Sequence, residues 1–509
     1  MGFWQTVRRM LGQGEPQPRG EQQVPSRGYA GNLGYFRQRF GQAPDLLIRE
    51  FQIGGSGQQV AVIAIDSIAD GARISREIIL PLSSFMSLSG NAHVAPGTAR
   101  EYLATGQLSE TLDLADAERK LLLGFAVILL QGYRPLLTCD VRANVGRGIE
   151  TAMVEATVFG PKQSFGELLG ANTALIRQMI RSPDLKLERL CLGRITQTPI
   201  HVFYLEGAAP PEMVQEIRRT LHSIEVGELI DPGQLAELIN PRPLSPFAQE
   251  LLTERPDRVV GNLLEGRVAI LVDGSPLALI TPTAFTDLFQ ASDDYYDRSL
   301  ASMIFRMLRV IAFFLATFGP ALYVMVVTFD YAVIPTDLII PIAEARSGLP
   351  LRPVEEALLM LVVVDILKEG SLRLPSRIAQ TVGVIGGFVL GQAVIQANLI
   401  SPLLIIVIAI SIIGSFSLPN YQVVSLVRVL RYPLLLGASL LGGAGLFLVV
   451  TALMIHVSSL TIFGVPYLRP VAPLRLDDMG DFIYRQPYRT TSLAKTDRLK
   501  GEQPDERQQ

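Results

Sequence analysis

IAQTVGVIGGFVLGQAVIQANLISPLLIIVIAISIIGSFSLPNYQVVSLV, residues 378–427, contains no Asp, Glu, Lys or Arg. An α-helix crosses a hydrocarbon core with about 20 apolar residues. The stretch is therefore long enough for two passes, over about 378–397 and 400–419. Uncharged runs on either side predict two more, over about 310–329 and 433–456. Between the first two spans, residues 353–368 are apolar at the centre but bracketed by Glu355, Glu356, Asp365, Lys368 and Glu369. That segment reads either as an interfacial or re-entrant helix or as an extra crossing. Residues 458–468 are ambiguous in the same way. Of the acids, Asp365 and Glu369 at i,i+4 read as an interfacial charged face.

Everything before about residue 300 reads as water-soluble. The fold expected is therefore multidomain: a cytosolic α/β N-terminal region of two subdomains, followed by an α-helical transmembrane domain. Residues 1–42 are rich in Gly, Gln, Pro and Arg with few large aliphatics, and read as a disordered arm. Subdomain 1 is expected over 43–145, subdomain 2 over 146–297, the helical membrane domain over 298–470, and a polar C-terminal tail over 471–509. QVAVIAI at 59–65 reads as a buried strand, and residues 121–130 as an apolar run of ambiguous type. Strands are expected at 151–159, 200–205 and 266–272, and helices at 165–181 and 211–224.

Composition narrows function. The 509 residues carry a net charge of −3, so no basic field argues for nucleic acid. Two cysteines far apart, Cys139 and Cys191, read as reduced buried thiols. Four histidines make a His-rich metal centre an unpromising reading. There is no phosphate loop, GxGxxG, HExxH, GxSxG or CxxC. Neither a cofactor nor a catalytic residue is predicted, and the chain does not read as an enzyme. No secretory signal precedes the soluble region, and Arg298, Arg306 and Arg309 flank the first span, which predicts a cytosolic N-terminal domain.

Two features of the span at 378–397 stand out. Gly383, Gly387 and Gly391, four apart, are a candidate close-packing face for another helix. Thr381, Gln392 and Gln396, with Asn398 at the end of the helix, lie on a second face. Amides in hydrocarbon need partners, so this face either lines an aqueous path or bonds to neighbouring helices.

Several blocks then carry a resemblance. They are 159–167 (FGPKQSFGE) with Asn172 and Leu175-Ile176-Arg177, Glu254-Arg255-Pro256-Asp257, 264–270 (LEGRVAI), Asp273-Gly274-Ser275-Pro276, and Asp294-Tyr295-Tyr296. In the apolar half they are Leu374-Pro375, 385–394 (IGGFVLGQAV), Pro419-Asn420-Tyr421, and 463–468 (FGVPYL). In this order they resemble the GerA family of spore germination receptor A subunits over about residues 44–475. The resemblance implies an integral protein of the inner membrane of the endospore. It also implies a permease-like B subunit and a lipoprotein C subunit as partners, a homo-oligomer of A subunits in membrane lipid, and a nutrient response that ends in ion release. The sequence departs from the family at Asp365-Ile366-Leu367-Lys368-Glu369-Gly370-Ser371, where the charge pattern survives. It departs again after Arg177, where the family's second Arg is replaced by Met179. The leading reading is a membrane subunit of a nutrient germinant receptor contributing to an oligomeric ion-conducting pathway. The alternative is a solute or ion transporter with a cytosolic regulatory domain. An enzyme on a membrane anchor would need only one span.

Overall fold

A computed structural model of the chain describes residues 26–474, except 42, 54–56, 85–102, 104–107, 144–149, 153–154, 156, 376–377, 379–386, 388 and 390. Thr381, Gly383, most of the expected arm and nearly all of the expected tail lie outside the described residues. The chain divides into two compact units, Met1–Gly148 with Gly170–Arg189, and Ile149–Leu169 with everything from Leu190 onward.

The first unit opens with helix α1 (Tyr29–Phe40), then strands β1 (Leu46–Ile53), β2 (Gln58–Ile65) and β3 (Leu108–Thr111), helix α2 (Leu114–Leu122), and strands β4 (Phe125–Leu130) and β5 (Leu136–Asp140). Helix α3 (Leu169–Met179) and the start of β6 (Leu185–Leu192) complete it. The sheet order is β1-β2-β4-β5-β3, with every ladder antiparallel. β2 and β4 are continuous apolar runs because both their faces are covered. Val60, Val62 and Ala64 face one core, where Ile74, Ile78 and Leu82 lie, while Ala61, Ile63 and Ile65 face the other. That second face is roofed by Leu33, Phe36 and Phe40 of α1 and Leu114, Ala117 and Leu121 of α2.

Four expectations are settled or changed here. The arm expected over 1–42 ends in an ordered helix, because Leu33, Phe36 and Phe40 recur at helical spacing and seal a core. The ambiguous run 121–130 is both types, the last turn of α2 followed by β4. Residues 170–189, expected in subdomain 2, belong to the first unit. Ala174 joins its core, and Arg177 donates to the buried Asp45 at 2.7 and 3.0 Å. Cys139 is buried, but Cys191 is exposed.

The second unit holds β7 (Thr198–Leu205), α4 (Pro211–Ser223), α5 (Pro232–Ile239), β8 (Leu251–Thr253), α6 (Pro256–Leu264), β9 (Val268–Val272) and β10 (Ala278–Thr281), and its five-stranded sheet runs β8-β10-β9-β7-β6, antiparallel from β8 to β7. Leu190 and Leu192 of β6 pack with it. α4 and α5 cover one face through Ile217, Leu221, Leu235 and Ile239. Of the strand expected over 151–159, the described residues show only Thr151 in a ladder, Glu150–Thr151 paired with Gln163–Ser164. Val158 and Phe159 are exposed.

The helices are α7 (Ser299–Thr328), α8 (Thr336–Arg346), α9 (Pro353–Leu372), α10 (Pro402–Phe416) and α11 (Tyr421–Ser458). α7 is long and apolar enough to cross a membrane, and α11 has the length and composition only if it is counted as one straight helix. α9 is one continuous helix of 20 residues. Pro320 interrupts α7. It lacks the N–H that would bond the carbonyl four residues earlier. Two side chains replace that bond: Ser411 Oγ donates to Ala316 O at 2.6 Å, and Arg431 Nε donates to the same oxygen at 3.1 Å.

α11 is not straight. Gly442 has φ 60° and ψ −135°, a conformation that an L side chain resists, and the helix turns back there. The ends show how far. Gln422 Nε2 donates to Glu250 O at 3.1 Å, and His456 Nε2 lies 2.9 Å from Ser245 Oγ. Residues 245 and 250 are at most about 18 Å apart along the chain. A straight helix would hold residues 422 and 456 about 51 Å apart. α11 is therefore an antiparallel helical hairpin. Its arms close so tightly that a Cβ added at Gly445 would stand 2.0 Å from Gly437 O. The single span expected over 433–456 is corrected: it is two runs of opposite direction, separated by a glycine turn. Residues 458–468 are not re-entrant either. β11 (Thr461–Ile462) and β12 (Val465–Pro466) form a small hairpin whose Ile462 and Phe463 enter the core of the second sheet.

Candidate functional site

The expected polar face is partly visible. Residues 391–396 are helical, with Gln392 and Gln396 exposed, and Gln396 Nε2 donates to Gln392 Oε1 at 3.4 Å. Asn398 is exposed just past the helix, at φ 48°. A Cβ added at Gly387 or Gly391 would meet nothing within 4 Å among the described residues. Among the described helical glycines, an added Cβ would crowd a backbone oxygen at Gly437 and Gly445, and at Gly414, where it would stand 2.8 Å from Ala312 O.

The densest polar construction is where the second sheet meets the helices. Asp294, 2% exposed, sits just before α7 and is gripped by that helix's own arginines. Arg306 Nε donates to Oδ2 at 3.0 Å, and Arg309 reaches both carboxylate oxygens at 2.7 and 2.5 Å. Arg309 also donates to Phe289 O at 2.9 Å, and Arg306 lies over the Tyr295 ring. Burial alone would push the Asp294 pKa upward. The hydrogen bonds and charge of Arg309, and the charge of Arg306, outweigh it and hold the carboxyl below its ordinary range. The arginines expected simply to flank a span thus fasten the first turns of α7 to the sheet domain.

The neighbouring Tyr296 extends the network. Its hydroxyl donates to Asp257 Oδ2 at 2.7 Å. Arg255, fully buried, holds both oxygens of Asp257 at 3.0 and 2.8 Å and donates to Thr157 Oγ1 and Pro161 O. Gly160, at φ 94°, lies under the Tyr296 ring, where an added Cβ would come within 2.5 Å of a ring carbon. Three sequence blocks that are separately weak, around 159–161, 254–257 and 294–296, are therefore one physical cluster at the root of α7.

Both ends of the α11 hairpin land on the same sheet domain. Asn420 caps the first arm by accepting from Gln422 N at 2.7 Å, and Leu252 N donates to Gln422 Oε1 at 3.4 Å. After the second arm, Arg242 Nη1 donates to Ser459 Oγ at 2.6 Å. Phe285 N donates to Tyr467 O at 2.8 Å, and Thr286 Oγ1 to Arg469 O at 3.1 Å. Phe247, Phe285, Phe289, Phe313 and Tyr467 interlock edge to face between sheet domain and helices. Residues 250–252 thus touch α11, and residues 285–294 touch both α7 and the segment that follows α11.

Sequence reasoning missed one residue here. Glu250 is 3% exposed, and its Oε1 has no hydrogen-bond partner among the described residues. Burial raises its pKa to about 7, opposed by hydrogen bonds from neighbouring amides and Asn240. Among the helices, the acids expected on an interfacial face separate. Glu369 is exposed and paired with Arg373 at 2.8 Å, whereas Asp365 turns inward to accept from Tyr432 OH at 2.6 Å. Glu356 is fully buried, accepting from Arg346 Nη2 and Ser401 N, both at 2.9 Å.

A layered sheet domain fastened at three points to a bundle of apolar helices, with α7 of membrane length, fits a membrane-associated protein. No group of three or more His, Cys, Asp or Glu suited to a metal occurs among the described residues. The family described as Bacillus/Clostridium GerA spore germination protein matches residues 34–496, and the chain belongs to that family. Spore germination protein KA of Bacillus subtilis is 34% identical over 477 residues, 92% of this chain and 88% of the relative. Spore germination protein GerLA of Bacillus cereus is 33% identical over 451 residues, 89% and 92% respectively. Among solved structures, the N-terminal domain of the A subunit of the Bacillus megaterium spore germinant receptor GerK3 aligns at 30% identity, covering 52% of this chain and 99% of that one, with a TM-score of 0.41.

Proposed function

We propose that this chain is the A-type membrane subunit of a nutrient germinant receptor, with its sheet domains in the cytosol and its helices in the inner membrane of the endospore. The observation that carries the reading is that the family match runs unbroken through both sheets and helices. The chain acts by conformational coupling, not by chemistry on a substrate. Nutrient binding in the assembled receptor shifts a population of states, and the fastening at Asp294, Gln422 and Tyr467 carries that shift between sheet and helices. Copies of the chain assemble through the exposed helical residues 391–396 together with Gly387, where Gly387 and Gly391 admit another backbone. Thr381, Gln392, Gln396 and Asn398 then face water in the conducting state. Uncharged amides replace part of an ion's hydration shell without trapping it.

Tagged chain recovered from spore membranes tests the assembly. The reading expects a permease-like protein and a lipoprotein to co-purify with it, and cross-linking to join copies of the chain through residues near 391–396. Recovery of a lone monomer after cross-linking contradicts it.

A further inference from the structure

Among the helices, Lys368 lies within electrostatic reach of Arg428 and Arg431, beside the inward-facing carboxylate of Asp365. Lys368 Nζ donates to Ser415 Oγ at 3.2 Å and lies 4.9 Å from the centre of the Phe416 ring. Arg428 Nε stands 3.5 Å from Asp365 Oδ1, whose other oxygen is taken by Tyr432. Arg431 is 2% exposed. Its Nε is committed to the carbonyl freed by Pro320, and its Nη1 has no partner among the described residues. The exposed Glu369 is already occupied by Arg373. Setting that exposed pair aside, three cations face one carboxylate among the described residues. A buried charge excess of this kind is costly unless an anion joins it.

We propose that Lys368, Arg428 and Arg431 form a site for a phosphate group, supplied by an anionic phospholipid headgroup or by free phosphate. Guanidinium groups match phosphate oxygens with paired donors, and a lysine adds a point charge. Phe416, Ile366 and Val429 beside the site are exposed, and present apolar surface to acyl chains. The lipid source rests on the membrane reading above, whereas binding of phosphate itself does not.

The test is native mass spectrometry of the purified full-length chain in detergent. It is titrated separately with phosphatidylglycerol, with phosphatidylethanolamine and with inorganic phosphate, and the titrations are repeated for Lys368→Gln and Arg431→Gln. A lipid site predicts preferential retention of phosphatidylglycerol, weakened roughly tenfold in each variant, as expected for losing one charge-assisted hydrogen bond. Saturable inorganic phosphate with no lipid preference supports the same site with free phosphate as its ligand. Lys368, half-buried and not needed to satisfy Pro320, keeps the test valid if Arg431→Gln fails to fold. Equal binding of both lipids in wild type and variants, with no saturable phosphate, overturns the proposal. Germination is not part of the readout, so failure here is separate from failure of the receptor reading.

Discussion

Glu250 makes the stability of the sheet–helix junction depend on pH. Its carboxyl is shifted from an ordinary 4.5 to about 7, principally by burial. Between those two values the unfolded chain has released a proton that the folded chain still holds. Stability therefore falls as pH rises from about 4.5 to about 7, and is flat above that. A shift of about 2.5 units corresponds to about 3 kcal/mol at 1.36 kcal/mol per unit. Glu250→Gln keeps the shape and removes the ionisation. The variant should be more stable than wild type by about 2–3 kcal/mol at pH 8, and by under about 1 kcal/mol at pH 5. Thermal unfolding followed by circular dichroism in detergent, at steps between pH 5 and pH 8, should show the two melting curves diverging as pH rises. Parallel curves across that range would show that Glu250 is not held protonated by its burial, and the reasoning fails.

Other perturbations follow from the same contacts. Asp294→Ala leaves Arg306 and Arg309 buried without their shared carboxylate, a loss of about 3–5 kcal/mol; protease sensitivity around residues 290–300 should rise sharply. Gly445→Val places a side chain where even a Cβ meets Gly437 O at 2.0 Å, so the hairpin should open and folded yield should fall. Gly387→Leu meets no described neighbour within the chain, so the monomer should fold normally while cross-linked oligomers are lost. Gln392→Leu or Gln396→Leu should slow ion release at near-normal receptor abundance; unchanged release in both variants removes that face from the conduction path.

Part of this architecture was legible in the sequence. The uncharged stretch at 378–427 and its flanks announced the helices, and the unbroken apolar run of β2 announced a strand buried on both faces. The helical hairpin was not legible from charge counting, because hydropathy is blind to direction. Its signal was Gly437 followed by Gly442-Gly443 and Gly445 inside an apolar run, a glycine density that serves a sharp turn between touching backbones. The structural role of Arg431 is not legible locally, because it depends on Pro320, 111 residues earlier. The arm helix was written in Leu33, Phe36 and Phe40, but a polar, glycine-rich context masked three apolar positions. Asp294, Arg255 and Gly160 were flagged as family blocks without a physical role, since only the fold brings them together. Glu250 carried no sequence signal, because its altered acidity comes entirely from what covers it.

The most direct test of the receptor reading is potassium release from spores in which this chain belongs to the sole germinant receptor. Release is followed in real time after nutrient addition. Spores lacking the chain should release no potassium in response to nutrient, and the wild-type chain should restore release. Asp294→Asn, which keeps the side chain's shape but removes the charge that fastens α7, should restore it slowly at comparable receptor abundance. Nutrient-triggered release that is unchanged when the chain is absent contradicts the account.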